Sequence, residues 1–446
     1  MPDFSLAPTP YLQPLYTAEE MRAAEAGHDV PAMMERAGRA VAEDALRRYP
    51  DARSFGAVCG GGANGGDGRI ALEVLRAAGR QAQEGTEGDV LIDALFGTGF
   101  KGEPRPDAAR LIEEINASRA PVVAVDLPSG VDADTGEIAG AAVNADVTVT
   151  MHGRKVGLEV APGRFNAGDV VVADIGLDHR ETTHALVTRE LLSLVPRKLP
   201  SDTKYTAGAL LVVGGAPGMT GAVSLTATAA FRADAGYVTV CAPAESMPVL
   251  EGRLVEAVKR PLEEAQNSLA KHDALAIGPG LGRSNDVQAL VRRLLEDSDL
   301  PAVVDADALY GLEPFARSAP TVLTPHEGEL GRLLGRDSGW VAAHRLAAVT
   351  EAVERFGCIC LLKGADALIA APGPGVLVAA LGPPSLATAG TGDVLTGVIG
   401  AFLAKGMEAR LAAAAGAVAC DVAARLGPSR GLVASDVVAL LPTALD

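Results

Sequence analysis

A chain of 446 residues is longer than one ordinary core, so two domains are expected. Hydrophobic residues make up 48% of it but aromatics only 4%, which predicts cores of Ala, Val and Leu packed against glycine-rich turns. A net charge of −17 argues against nucleic acid or an anionic membrane as partner, although a helix N-terminus binds phosphate without any net positive charge.

MPDFSLAPTPYLQPLY has neither a basic start nor a continuous apolar core, so no secretory signal is expected. Helical spacing then runs over 17–48, in TAEEMRAAEAG and PAMMERAGRAVAEDALRRY. Strand and helix candidates alternate after that: FGAVC, DGRIALEVLRAAG, DVLIDALFGTG, DAARLIEEINAS, APVVAVDLPSG and ADVTVTM. Such alternation means a mostly parallel sheet covered on both faces. Residues 180–204 lose the rhythm, and the domain junction is placed there. The reading is an N-terminal domain over 1–185, a linker over 186–200 and a C-terminal domain over 201–446.

The second series runs GALLVVGG, a helix from about Gly221 to Asp234, YVTVCAP, DALAIGPGLG and a helix over 285–296. PAVVDADAL, TVLTPHEGEL, a helix over 340–356, CICLLKGADALIAA and ATAGTGDVLTGVIGAFLAKG complete it. The most apolar helical window, LAAAAGAVACDVAA, is too short to span a bilayer and is interrupted by Asp421. A cytoplasmic protein is expected. The five cysteines form no C-x-x-C pair, and Cys358 and Cys360 read as small buried residues on one strand face.

The polar, glycine-rich loops follow strand C-terminal ends, the edge at which open α/β sheets bind ligands. In CGGGANGGDG, Gly60, Gly62 and Gly65 satisfy G-x-G-x-x-G, a weak signal by itself. The loop is expected to stay open through Asn64–Gly68. Asn64, Asp93 and Ser129 offer hard oxygen donors suited to an alkali or alkaline-earth cation, against the plain alternative of local turn stabilisation. In ATAGTGDVLTG, the N–H groups of Gly390, Thr391 and Gly392 should form an anion nest at a helix start. Asp393 beside them is placed to take a proton from a hydroxyl attacking a terminal phosphoryl group, the plain alternative being a helix cap.

GMTGA, GPGLG, DADAL, TPHEGE, KGAD and ATAGTGDVLTG, in that order, resemble the ribokinase-like superfamily and, within it, the ADP/ATP-dependent NAD(P)H-hydrate dehydratase branch. That resemblance implies phosphorylation of the hydroxyl on a hydrated nicotinamide ring, then elimination of phosphate to restore NADH or NADPH. It makes Asp393 the catalytic base. Lys363, Gly364, Ala365, Asp366 and Ala367 would contact ADP (or ATP, with Mg2+) together with Gly390, Thr391 and Gly392. Ala222, Gly280, Gly282, His326 and Asp393 would line the hydrate site. Ala367 replaces a usual threonine, and Pro383 and Pro384 stiffen the approach to the nest.

MMERAGRAVAE, GGGANGGDG, DALFGTGFKGE, DLPSGVDADTG and RKVGL resemble the NAD(P)H-hydrate epimerase domain. By that resemblance Ala63, Asn64, Gly65, Gly66 and Asp67 hold the hydrate, with Gly97, Thr98, Gly99, Phe100, Lys101, Gly102, Glu103 and Asp126. Asn64, Asp93 and Ser129 would ligate K+. Asp126 is the acid/base candidate, with Lys155 second. Only RQAQEGTEG separates one helix from the next strand, where the family carries a further β/α unit, so this domain is shortened near 79–89.

The resulting expectation is two three-layer α/β domains, N-terminal Rossmann-like and C-terminal ribokinase-like, in a homo-oligomer without nucleic-acid or membrane partners. Their job would be repair of NAD(P)HX. A ribokinase-like small-molecule kinase with a non-catalytic N-terminal module is the alternative, and a hydride-transferring dehydrogenase ranks third because the second half has no place in it.

Overall fold

The computed structural model describes residues 9–178, 181–379 and 382–446; the first residues of the N-terminal stretch and Arg180 at the start of the junction segment lie outside them. The chain divides into two compact units, Gln13–Leu186 and Val187–Asp446, the second also taking in Pro10–Leu12.

The first unit carries six parallel strands in the order Gln81–Glu84, Ser54–Cys59, Val90–Ala94, Val122–Val125, Val147–Met151, Asp169–Ala173. Side chains alternate across it with period two. Ile92, Val123 and Val149 face a cluster with Val41 and Leu72 of helices Val30–Arg48 and Ala63–Ala77. Leu91 and Val122 face Ile112 and Ile115 of helix Pro106–Ala117 on the other side. Both faces are covered, which is why the central strands read as nearly continuous apolar runs. Asp29 caps the helix Val30–Arg48 by accepting the Ala32 N–H at 3.2 Å.

The shortened stretch keeps its edge strand and lacks the helix. A parallel crossover normally needs a dozen or more residues, yet residues 85–89 alone lead from Gln81–Glu84 to Val90–Ala94 on the far side of Ser54–Cys59. They pass directly over Gly56, where a Cβ would strike the Glu87 carbonyl. That absent side chain makes the short crossing possible.

The glycine loop departs from the open form expected of it. The helix begins at Ala63, with Gly62 in the N-cap position, so Asn64 to Gly68 are helical. The reason is tertiary. A Cβ at Gly65 would collide with the Gly60 carbonyl, so the glycines let the first turn lie against the strand end.

In the second unit seven parallel strands follow the order Val258–Pro261, Tyr237–Ala242, Ala209–Val213, Ala274–Ile277, Ala302–Val304, Thr321–Leu323, Ile359–Leu362. Ala367–Ala370 and Val376–Ala379 extend them antiparallel. The predicted helix over 340–356 is broken at His344 into Ser338–Ala343 and Arg345–Phe356. Helix Thr391–Ala404 is buried from Val394 through Ala404, as expected of a helix apolar all round. Four of its fully buried side chains, Val394, Val398, Ile399 and Phe402, each contribute about 1.5–3 kcal/mol. This outweighs the ~1 kcal/mol that a side-chain cap supplies, so the helix stands with no side-chain cap at Gly390.

Candidate functional site

In the first unit, the ends of four adjacent strands bring the candidate residues together. Asp93, on Val90–Ala94, is fully buried. Its Oδ1 accepts the Ser129 hydroxyl at 2.6 Å and its Oδ2 the Ser129 N–H at 2.7 Å. Ser129 Oγ accepts the Phe96 N–H at 2.9 Å, and Asn64 Nδ2 donates to the Phe96 carbonyl at 2.8 Å. Burial pushes the Asp93 carboxyl up to about 6, although the Ser129 and Leu95 hydrogen bonds pull the other way. Asn64, Asp93 and Ser129 thus converge, joined by the Phe96 carbonyl. Asp93, Ser129 and the Phe96 carbonyl bring oxygens together with one negative charge, and Asn64, whose Nδ2 meets that carbonyl, has Oδ1 as a further oxygen.

Asp126 follows Val122–Val125 in a tight γ-turn. Its φ is +67°, and the Leu127 N–H reaches the Val125 carbonyl at 2.8 Å. A non-glycine residue in that region costs on the order of 1–3 kcal/mol, strain that collects at functional sites. The return comes in contacts: Asp126 Oδ1 accepts Lys155 Nζ at 2.5 Å, the Thr150 hydroxyl at 3.1 Å and the Met151 N–H at 3.2 Å. Lys155 is fully buried and also donates to the Met151 carbonyl at 2.8 Å. A second tight turn at His152, φ +66°, sets up that approach.

A cavity of about 1010 Å³ opens above these residues. Every residue expected to cradle the hydrate lines it except Gly65, Gly66 and Gly102. Gly65 packs on the Gly60 carbonyl and Gly66 on the Met34 methyl, so both lie behind residues that line the cavity. Lys101 is committed to Asp132 and Asp134, at 2.9 and 2.8 Å.

In the second unit, five neighbouring strand ends carry the loops. Backbone bonds from Gly215 N–H to the Pro279 carbonyl and Ala216 N–H to the Gly280 carbonyl join two of them, placing Gly280 beside Ala222. Gly282 N–H is taken by Asp307 at 3.0 Å. Gly390 has φ +92°, and the first N–H of the following helix to find a backbone acceptor is that of Val394, on the Gly390 carbonyl. The N–H groups of Gly390, Thr391, Gly392 and Asp393 precede it at the helix start, the geometry in which backbone N–H groups can meet an anion.

Asp393 is fixed through its backbone, whose carbonyl accepts the Thr226 hydroxyl at 3.0 Å. Its carboxyl is pushed up to about 7, by burial first and by Asp305 next, with Lys363 opposing and Asp307 and Glu329 adding to it. Asp305 Oδ1 accepts Lys363 Nζ at 2.7 Å, while its Oδ2 accepts the Thr396 hydroxyl at 2.7 Å. Burial works against the Lys363 charge, but Asp305 and Glu329 raise its pKa. The ammonium lies under the nest: a Cβ at Gly392 would sit 3.3 Å from Lys363 Nζ.

A cavity of about 490 Å³ lies between the His326 and Lys363 loops. His326 caps helix Glu327–Leu334: its Nδ1 accepts the Gly328 N–H at 3.0 Å and its own N–H is taken by Glu329 at 2.9 Å. Gly364 and Ala365 line the same cavity, and Ala367 opens the next strand. Asp366 turns its carboxylate inward. Its side chain is fully buried and its Oδ1 pairs with Arg345 at 2.7 Å, so the carboxylate holds the loop from beneath.

Asp305 lies in DADAL, and its place at a strand end is the one signal the sequence offers for it. Arg345 carried none. It is buried and ties Glu327, at 2.7 Å, to the Asp366 carbonyl, at 3.0 Å. Glu25, which lines the first cavity, also carried no signal in its amphipathic helix.

Residues 210–443 match the family described as NAD(P)H-hydrate dehydratase, and residues 30–83 and 78–157 match the YjeF-related protein N-terminus. The second match breaks at the shortened crossover. The ADP/ATP-dependent NAD(P)H-hydrate dehydratase from Bacillus subtilis, co-crystallised with ATP/Mg2+, superposes with TM-score 0.54 at 28% identity, covering 58% of this chain and 96% of that one. A ribokinase-like superfamily protein from Enterococcus faecalis V583 shares the fold at TM-score 0.53 and 24% identity, over 60% of this chain and 97% of that one. Fold and nest together define the second unit as ribokinase-like, of the hydrate dehydratase type.

The bifunctional NAD(P)H-hydrate repair enzyme Nnr of Moorella thermoacetica is 36% identical over 478 aligned positions, covering 90% of each chain. The protein of the same description from Escherichia coli K12 is 35% identical over 431, covering 87% of this chain and 83% of that one. The chain belongs to the family of bifunctional NAD(P)H-hydrate repair enzymes. Among the described residues no helix is long and apolar enough to cross a membrane.

Proposed function

We propose that this chain repairs hydrated nicotinamide dinucleotides in the cytoplasm. The first unit interconverts R- and S-NAD(P)HX, and the second dehydrates the S form while ADP is cleaved to AMP and phosphate. The observation that carries the reading is Asp393, a carboxyl raised to about 7 beside an uncapped helix start with a lysine beneath it. Asp393 takes the proton of the ring hydroxyl as that oxygen attacks the terminal phosphoryl group. The N–H groups of Gly390 to Gly392 hold the transferred charge, and Lys363 adds a cation. Phosphate then leaves with the electrons of the ring carbon–oxygen bond as the ring nitrogen's lone pair forms C=N+. Loss of a proton from the adjacent ring carbon to phosphate or water forms the C=C bond of the reduced cofactor. Mg2+ arrives with the nucleotide phosphates and neutralises part of their charge.

K+ fits the first unit. Asp93 is a buried carboxyl whose partners are Ser129 and a backbone N–H rather than a cationic side chain, and the donors around it are oxygens. Asn64, Asp93 and Ser129, with the Phe96 carbonyl, would hold the ion, which supplies the missing counter-charge.

Mass spectrometry of the products from mixed R/S hydrate and ADP tests this. Reduced cofactor, AMP and phosphate in equal amounts are expected, with turnover continuing past the initial S share faster than in an enzyme-free control. A stable phosphorylated metabolite overturns the reading in favour of a kinase.

A further inference from the structure

In the first unit's cavity, Asp67 is a carboxyl that no cation among the described residues neutralises. It stands on the second turn of helix Ala63–Ala77, is 8% exposed and lines the cavity, and its Oδ1 has no hydrogen-bond partner. The charged groups facing it are Asp126 and, from helix Ala18–Glu25, Glu25; helix Val30–Arg48 contributes Met33 and Met34 to the same wall. Burial first, then Asp126 and Glu25, push Asp67 up to about 7. Asp126 is the opposite case, held by the Lys155 ammonium, the Thr150 hydroxyl and the Met151 N–H. Two carboxyl groups in one cavity, one keeping its proton and one paired with an ammonium, divide acid from base.

Resting on the epimerase reading above, we propose that Asp67 is the proton donor that releases the ring hydroxyl of the hydrate and is reprotonated from solvent when water returns. Asp67 gives its proton to the hydroxyl oxygen. The carbon–oxygen bond breaks with both electrons going to oxygen, and the ring nitrogen's lone pair forms a C=N+ bond as water departs. Asp126, on its Lys155 anchor, faces the cationic ring. Water then adds to the opposite face, the C=N electrons return to nitrogen, and the proton that water gives up passes to solvent, from which the Asp67 carboxylate is reprotonated. Nothing is oxidised or reduced.

The test is R/S interconversion by the full chain, wild type and Asp67→Asn, across pH. In the wild type the rate should fall as pH rises through about 7, where Asp67 loses its proton. Asp67→Asn should lower kcat by about 100-fold with KM little changed, and abolish that limb. The variant should melt no lower than wild type at pH 8, since it removes a charge that burial disfavours. A wild-type rate that stays flat through that pH range overturns the proposal without any variant. An Asp67→Asn chain that is active with the limb intact also overturns it. Wild type no faster than an enzyme-free control overturns the epimerase reading itself.

Discussion

Each unit holds a carboxyl raised to about 7, Asp67 in the first and Asp393 in the second, and burial is the largest cause in both. Their neighbours differ. Lys363 opposes the shift at Asp393, and the helix start beside it awaits an anion, so that carboxyl is set to receive a proton as phosphoryl charge arrives. The charges that act on Asp67 are the carboxyls of Asp126 and Glu25, while Lys155 serves Asp126. The same pKa can therefore serve proton donation or proton uptake, and the placement of the nearest ammonium decides between them.

The strongest way to break the contrast is to strip the ammonium of its partner. Asp126→Asn leaves Lys155 buried beside a neutral amide, which should cost about 3–5 kcal/mol in chemical denaturation and lower epimerisation about 100-fold. Adding Lys155→Met should recover much of the stability but not the activity. Asp305→Asn sharpens the other side. It frees Lys363 and Thr396 and removes the largest charge raising Asp393, so turnover should fall about 10-fold. The acid limb of its pH profile should move to lower pH. A profile that stays in place contradicts the role given to Asp305.

A further effect is on stability. Because folding raises Asp393 from 3.8 to about 7, the stabilisation is fully present below about pH 4 and is lost as pH rises through about 7. Asp393→Asn removes that loss. Thermal denaturation should find the variant equal to wild type near pH 4 and more stable above pH 7, by on the order of 2 kcal/mol after allowing for partial exposure.

The β/α rhythm made both sheets legible, because strand-end loops are where a parallel sheet exposes its chemistry. GTGD before an apolar run likewise marked the helix start that carries Asp393. What the sequence hid was set by distant residues. Asn64 to Gly68 read as an open loop because glycines favour loops, whereas here they let a helix close onto Gly60. The inward turn of Asp366 stayed hidden because its partner Arg345 lies 21 residues away. The turn at Asp126 carries no glycine to announce it, since lysine, threonine and backbone contacts hold its strained φ in place.

The most direct test is turnover of the S-hydrate with ADP by wild type and Asp393→Asn, with folding of both checked by circular dichroism. Wild type should yield reduced cofactor, AMP and phosphate in equal amounts. The variant should lose about 10³-fold in that rate while exchanging R and S hydrate at the wild-type rate. Undiminished dehydration by Asp393→Asn would contradict the account.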